Sequence, residues 1–267
     1  MSPDSPSAAR PEVVPPAARV PDAPLYERLP DAIIVHTDVP DVADYGWDQL
    51  YRQRVDDGRL HPGEVSLARE LPPNRRATFV AGRTAVRWAM QQATGLPSPL
   101  AAPAVLRTAR GAPLLPDALA GSITHKRRRA AAAIATRRGP LVHLGLDLER
   151  RPVRADLDKP SIARRILTPR ELVALEPFAD DALRHRTLTL VHFAMKEAVY
   201  KAVDPFVHRY VRFTEVELSL TLDSAAERGH ADVTLHLPEL AHGRVRAYAQ
   251  WHMDAEWIVA TAYTEQR

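Results

Sequence analysis

Asp147 and Glu149 stand two residues apart in the run Leu144-Gly145-Leu146-Asp147-Leu148-Glu149. Leucine at every second position reads as a β-strand, which puts Gly145, Asp147 and Glu149 together on the face opposite the leucines. A second acidic motif follows at Phe193-Ala194-Met195-Lys196-Glu197-Ala198-Val199-Tyr200-Lys201. Its spacing is helical, with Leu190, Phe193, Ala194 and Ala198 forming an apolar stripe. Glu197 and Lys201 are one turn apart and meet beside that stripe. Two strand carboxylates with a helical Glu–Lys pair suit a hard cation: magnesium takes carboxylate oxygens, keeps some waters and completes its shell with substrate phosphates. A nearby lysine would cover phosphate charge that the metal leaves unmatched. Each motif by itself is also ordinary surface chemistry, since an exposed i, i+4 pair contributes only about 0.3–0.5 kcal/mol. The chemistry therefore rests on what else the chain contains.

Several elements must position these groups. Pro62-Gly63 and Glu64–Arg69 open a helical region that Pro72-Pro73 interrupts. From Arg75 the pattern is helical again, with Phe79, Val80, Val86, Met90 and Ala93 as apolar contacts and Gly95 as the closing residue. Arg76, Arg83 and Arg87 fall near one side of this helix. Arg75 and Arg83, eight residues apart, are spaced to grip one phosphate. Arg110-Gly111-Ala112-Pro113 reads as a turn. In Gly121-Ser122-Ile123-Thr124-His125, a hydroxyl beside an imidazole can hold a phosphate. Ala130 to Ala135 and Leu141 to Leu148 read as neighbouring strands joined by a turn at Arg137-Arg138-Gly139-Pro140. A helix is expected at about 183–203 and strands at about 212–222, 231–237, 244–251 and 256–263. Thr168, Pro169 and Glu171 mark another helix start, just after Arg164-Arg165-Ile166-Leu167. That stretch reads either as a basic and apolar docking patch or, for Ile166 and Leu167, as core.

At 267 residues the chain suits one large domain or two small ones, and 45% hydrophobic with 26% charged residues is ordinary for a globular protein. With no cysteine there can be neither a disulfide nor a thiolate metal site. No apolar run approaches a membrane span. The formal charge is +3, with a local cluster at Lys126-Arg127-Arg128-Arg129 that favours an acidic partner or a phosphate ligand. Residues 1–24 hold seven prolines and no apolar periodicity. They lack the features of a signal peptide, so a disordered tail on a cytoplasmic protein is expected, with the fold starting near Leu25.

Five motifs now stand in series: Arg75 and Arg83 flanking Phe79, Arg110-Gly-x-Pro, Gly-Ser-Ile-Thr-His ending at 125, Gly-Leu-Asp-Leu-Glu ending at 149, and Phe-x-x-Lys-Glu-x-x-x-Lys ending at 201. In order and spacing, over roughly residues 60–217, the set resembles the 4′-phosphopantetheinyl transferases, specifically their larger two-lobed bacterial class. The resemblance implies an α+β (α/β) fold of two similar pseudo-symmetric lobes, each a small, mostly antiparallel sheet packed on a long helix, with the active site in the cleft between them. The lobes would be 25–143, binding coenzyme A phosphates, and 144–267, carrying the magnesium and catalytic motifs. The reaction implied moves the phosphopantetheine arm of coenzyme A to a serine of an apo acyl or peptidyl carrier protein and releases 3′,5′-ADP.

By the same resemblance Asp147, Glu149 and Glu197 match the magnesium ligands. Arg75, Arg83, Arg110, Thr124 and His125 match positions that hold the cofactor's phosphates. Lys196 and Lys201 match the lysines of the last motif, with Lys201 at the pyrophosphate. Glu197 is the candidate general base and Lys201 the group that neutralises or protonates the leaving phosphate. Phe193 stands where many relatives have tryptophan, and Thr124 where many have serine. Leu148 lies between the two strand acids, so three carboxylates serve the metal and water completes its shell. A monomer in the cytoplasm is expected, meeting neither nucleic acid nor membrane.

Two other functions fit parts of the pattern. A magnesium-dependent nuclease or phosphohydrolase uses similar carboxylates. An RNA-binding protein would use the Lys126–Arg129 run, but it should carry stacking aromatics among its basic residues. None are interleaved there, and aromatic content is 6%.

Overall fold

The computed structural model describes residues 12–14, 32–40, 46–137, 141–223, 227–240, 243 and 245–266. In the N-terminal lobe β1 (Glu12–Val14), β2 (Ile33–Asp38), β3 (Leu119–Lys126) and β4 (Arg129–Thr136) form an antiparallel sheet of order β1-β2-β4-β3. Between β2 and β3 come α1 (Trp47–Asp56), α2 (Pro62–Arg69) and α3 (Pro73–Thr94). Pro73 opens α3, where its missing N–H costs nothing, and Gly95 ends it at φ 70, a conformation that glycine adopts without strain. Val35, Ala132 and Ile134 of the sheet pack on Ala85, Val86, Ala89 and Met90 of α3.

In the C-terminal lobe β5 (Leu141–Arg150) leads to the short helices α4 (Ala163–Ile166) and α5 (Pro169–Leu175), then to α6 (Ala182–Val207). The strands β6 (Val216–Leu222), β7 (Arg228–Leu235), β8 (Val245–Met253) and β9 (Trp257–Gln266) complete an antiparallel sheet of order β5-β9-β8-β7-β6. One face, with Ala247, Ala249, Ile258, Ala260 and Ala262, packs on α6. The other, with Leu144, Leu146, Leu148, Trp257, Val259 and Tyr263, packs on Ile34, Ala131, Ala133 and Ala135 of the first sheet. The layers are therefore α3, sheet, sheet, α6. Both faces of β4 are covered, which is why its apolar run is continuous and none of Ala130 to Ala135 is exposed. The edge strands β3 and β5 come together at the seam between the lobes.

Three expectations need adjustment. β4 and β5 are consecutive but belong to different sheets, β4 pairing with β2 and β3 and β5 with β9. Their alternation shows strands without naming a partner, and residues 138–140 of the expected turn lie outside the described residues. The boundary at 143/144 cuts through β5, which starts at Leu141. Within the tail expected to be disordered, Glu12-Val13-Val14 pairs with His36-Val35-Ile34, two β-branched residues completing the open edge of β2. The rest of that tail is outside the described residues.

Candidate active site

The period-two pattern on β5 turns Asp147 and Glu149 away from the leucine core and toward the seam. Gly145 is what lets α6 approach: a Cβ there would collide with the Ala198 backbone carbonyl. With helix and strand in contact, Lys201 on α6 reaches across to β5. Its Nζ donates to Asp147 Oδ1 at 2.7 Å and to the Leu146 carbonyl at 2.8 Å. Thr124 on β3 donates its hydroxyl to the same Asp147 oxygen at 3.0 Å. Glu149 accepts from Lys126 of β3 at 2.6 Å. Elements from both lobes thus converge on the two strand carboxylates, which are 7% and 6% exposed.

Burial sets the electrostatics. It pushes the carboxyl of Glu149 above its usual range against the pull of Lys126, and the charges of Asp147 and Glu197 add to the rise. Glu197, half-buried on α6, is raised by burial as well, with Lys201 pulling it down and Asp147 pushing it up. Glu149 and Glu197 therefore each feel a neighbouring negative charge, which a bound cation would offset. Among the described residues no three acidic or histidine side chains form a ready-made cation cage. The all-oxygen donor set still fits magnesium, which binds through one or two carboxylates and leaves the rest of its shell to water and substrate phosphate.

Beside the carboxylates a cleft of about 340 Å³ opens between the lobes. Arg75, Phe79, Arg83, Arg107, Arg110 and His125 line it from one lobe, and Tyr200, Lys201 and Asp204 from the other. Arg75 is exposed within it. The His125 imidazole is held below its ordinary value by loss of solvent and by the charges of Arg75 and Lys201. Arg83 is 5% exposed and stacks on Phe79 at 4.4 Å. It donates Nε to the Val105 carbonyl at 2.6 Å, and burial draws its pKa down to about 10. Arg110 reaches across the cleft to α6, where its Nε lies 3.0 Å from both oxygens of Asp204.

Of the residues expected at the cofactor, Arg75, Arg83, Arg110, His125 and Lys201 line the cleft, whereas Thr124 lies behind it, holding Asp147. Lys196 is elsewhere. It is 1% exposed, and its ammonium is used up by Glu171 Oε2 at 2.6 Å and by the carbonyls of Ile166 and Phe213 at 2.8 and 3.0 Å. Lys196 and Lys201 are five residues apart, about 140° around the helix, so one faces the seam and the other the lobe interior. Arg87, placed by spacing on the same side of α3 as Arg83, is wholly buried against Glu64. Ile166 and Leu167, each 2% exposed, are core, so only Arg164 and Arg165 of that patch face solvent.

Lys126, Tyr200 and Asp204 were missed. Lys126 was hidden in a basic run, although alternation from Thr124 puts both on one face of β3. Glu197, Tyr200, Lys201 and Asp204 follow the i, i+3, i+4, i+7 spacing of one helical face, a signal present in the sequence.

Family models match most of the chain. That described as the 4′-phosphopantetheinyl transferase N-terminal domain matches residues 64–135, and that of the 4′-phosphopantetheinyl transferase superfamily matches residues 143–262. The 4′-phosphopantetheinyl transferase Npt of Nocardia iowensis is 28% identical over 78% of this chain and 88% of its own. The 4′-phosphopantetheinyl transferase PptT of Mycobacterium tuberculosis is 30% identical over 63% of this chain and 68% of its own. Among solved structures, the holo-ACP-synthase of Plasmodium yoelii aligns at 15% identity over 48% of this chain and 96% of that one, with a TM-score of 0.36. With two lobes that each match a model and a relative 30% identical of which the chain covers 68%, the chain belongs to the 4′-phosphopantetheinyl transferase superfamily, in its larger bacterial class.

Proposed function

We infer that this enzyme transfers the 4′-phosphopantetheine arm of coenzyme A to a serine hydroxyl of an apo acyl or peptidyl carrier protein, releasing 3′,5′-ADP. The observation that carries the residue assignments is Lys201. It lines the cationic cleft and also touches Asp147, so one ammonium joins the phosphate-binding wall to the acidic seam. The nuclease reading has no counterpart among the relatives, which are named as transferases. No helix among the described residues is long and apolar enough to cross a membrane.

Serine is a weak nucleophile and needs a base within hydrogen-bond reach. Glu197 fills that role, because burial makes its carboxylate more basic than an exposed one. As the serine oxygen–phosphorus bond forms and the pyrophosphate P–O bond breaks, the hydroxyl proton passes to Glu197. Lys201 stays beside the leaving phosphate and offsets its gathering charge. Asp147, Glu149 and Glu197 would hold a magnesium ion, which when bound spreads that charge further. Arg75, open in the cleft, and His125 beside it meet the cofactor's other phosphates, the 3′-phosphate among them.

Incubation with coenzyme A, magnesium and a panel of apo carrier proteins tests the activity. The expected result is a mass gain of one phosphopantetheine arm on a carrier, with 3′,5′-ADP released; no gain on any carrier would refute it. The phosphate assignment has its own test. Charge-assisted hydrogen bonds contribute about 1.5–3 kcal/mol each, so 3′-dephospho-coenzyme A should bind at least about tenfold more weakly than coenzyme A. Equal affinities would remove Arg75 and His125 from that role.

A further inference from the structure

A carboxylate in a cleft built for phosphates is out of place by charge alone, and Asp204 is such a group. It lines the cleft among Arg75, Arg83, Arg107, Arg110 and Lys201. Its partner is Arg110, ninety-four residues earlier in the chain and in the other lobe. Arg110 Nε reaches both Asp204 oxygens at 3.0 Å, and its NH2 group reaches Oδ1 at 2.5 Å and the Tyr200 hydroxyl at 3.4 Å. The NH1 group donates to the His208 carbonyl at 3.2 Å. His208 closes α6 in the left-handed region, at φ 55. A guanidinium has five N–H donors, so these contacts leave little of it for a phosphate. The side chains of the pair are 35% and 15% exposed, so it lies at the open wall of the cleft, with Asp204 the more covered partner.

Arg110 sits at the tip of a closed turn. Thr108 N donates to the Ala112 carbonyl at 2.8 Å, Gly111 N to the Thr108 carbonyl at 2.9 Å, and Leu114 N to the Leu106 carbonyl at 3.1 Å. At the base of the turn, Arg83 holds the carbonyls of Val105 and Leu106. The turn supplies Arg107, Gly111, Ala112 and Pro113 to the cleft wall. It is therefore anchored twice, to α3 through Arg83 within its own lobe and to α6 through Arg110 across the cleft.

We propose that Asp204 is a positioning residue that latches this turn onto α6, so that Arg110 serves cofactor binding by fixing the wall of the cleft and not by gripping a phosphate. The inference rests on the reading that the cleft binds coenzyme A. The opposite role predicts the opposite sign: if Arg110 were a phosphate ligand, Asp204 would compete for it, and removing Asp204 would tighten binding.

The test is calorimetric affinity for coenzyme A and for 3′,5′-ADP in the full chain, with KM for coenzyme A and for the carrier protein measured in parallel. Asp204→Ala and Arg110→Ala should each weaken binding about fivefold, the upper end for an exposed ion pair of bidentate geometry. The double variant should be no weaker than either single one, and the exchanged pair Arg110→Asp with Asp204→Arg should recover part of the loss. KM for coenzyme A should rise while that for the carrier protein holds. Amide exchange at Gly111 and Ala112 in the free protein should quicken in Asp204→Ala. Tighter or unchanged binding in Asp204→Ala, or additive losses in the double variant, overturns the latch while the coenzyme A reading stands. Failure of the unaltered chain to bind coenzyme A overturns that reading and the cofactor role of the latch with it; unchanged exchange at the turn overturns the latch by itself.

Discussion

Glu64 and Glu171 hold the same place in the two lobes. Each is the third residue of a short helix that begins with proline, and each accepts the backbone N–H of its own N-cap, His61 at 2.9 Å and Thr168 at 2.7 Å. Both pair with a cation buried on the following long helix: Arg87 at 2.8 Å and Lys196 at 2.6 Å. A later backbone N–H completes each shell, Val105 at 2.8 Å and Leu218 at 2.7 Å. The bracket that ties short helix, long helix and next segment together is thus built twice. The chemistry is not. α3 turns Arg75 and Arg83 to the cleft, whereas α6 turns Glu197, Lys201 and Asp204 to the cleft and the seam. β3 brings Thr124 and His125, and β5 brings Asp147 and Glu149. A repeated scaffold has kept its buried ion pair in both copies and placed opposite charges on the faces that meet.

The sharpest way to break this comparison is to cut the brackets. Lys196→Ala and Arg87→Ala each strand a buried carboxylate, and losing one partner of a buried pair costs about 3–5 kcal/mol. Denaturant titration should show comparable losses in the two lobes, and whatever Lys196→Ala protein remains folded should bind coenzyme A as before. A binding defect without a stability defect would return Lys196 to the cofactor.

Next in size, Asp147→Ala separates chemistry from scaffold. Asp147 touches Thr124 and Lys201 but belongs to neither bracket. Transfer should fall at least about a hundredfold, the usual loss for a group that stabilises transition-state charge, with little change in melting temperature. Near-normal rates at low magnesium would remove it from the site.

Each lobe also hides a histidine. His36 on β2 is drawn to about 4 by burial, with Arg129 and His252 adding to the fall and Asp254 opposing it. His143 on β5 is drawn to about 4 by burial and by Arg137, and packs edge-on against Phe206 at 5.1 Å. A histidine whose folded pKa lies below its unfolded 6.5 binds fewer protons when folded. Its contribution is complete above pH 6.5 and is lost as pH falls toward 4. Melting temperatures across that window should decline, and His36→Leu should flatten the decline by an amount of the order of 2 kcal/mol. A pH profile unchanged by both His36→Leu and His143→Leu would show that the two rings titrate in the fold as they do in the unfolded chain.

The smallest effect expected lies on the connection from β5 to α6. Arg164 and Arg165 are exposed there, and Val153 and Leu157 expose 45% and 38% of their surface. Arg164→Glu with Arg165→Glu should raise KM for an acidic carrier protein by about threefold at low salt, an effect that fades as salt screens it. An unchanged KM at low salt would place carrier docking elsewhere.

Local patterns carried much of this. Leucines at 144, 146 and 148 determined that β5 is a strand and that Asp147 and Glu149 share its other face. Gly95 ended α3, and Thr168, Pro169 and Glu171 started α5, because these residues act on the backbone within one turn of themselves. The order of five motifs sufficed for the family. Only the tertiary structure decided which cations are held by the protein's own groups. Lys196 and Lys201 belong to one motif, but Glu171 and two carbonyls claim the first, and Arg83 and Arg110 are spoken for by Val105 and by Asp204. A helix fixes where a side chain leaves its axis, but a charge takes the partner that packing brings to it. Here those partners lie 22 to 94 residues away in the chain, beyond the reach of any local pattern.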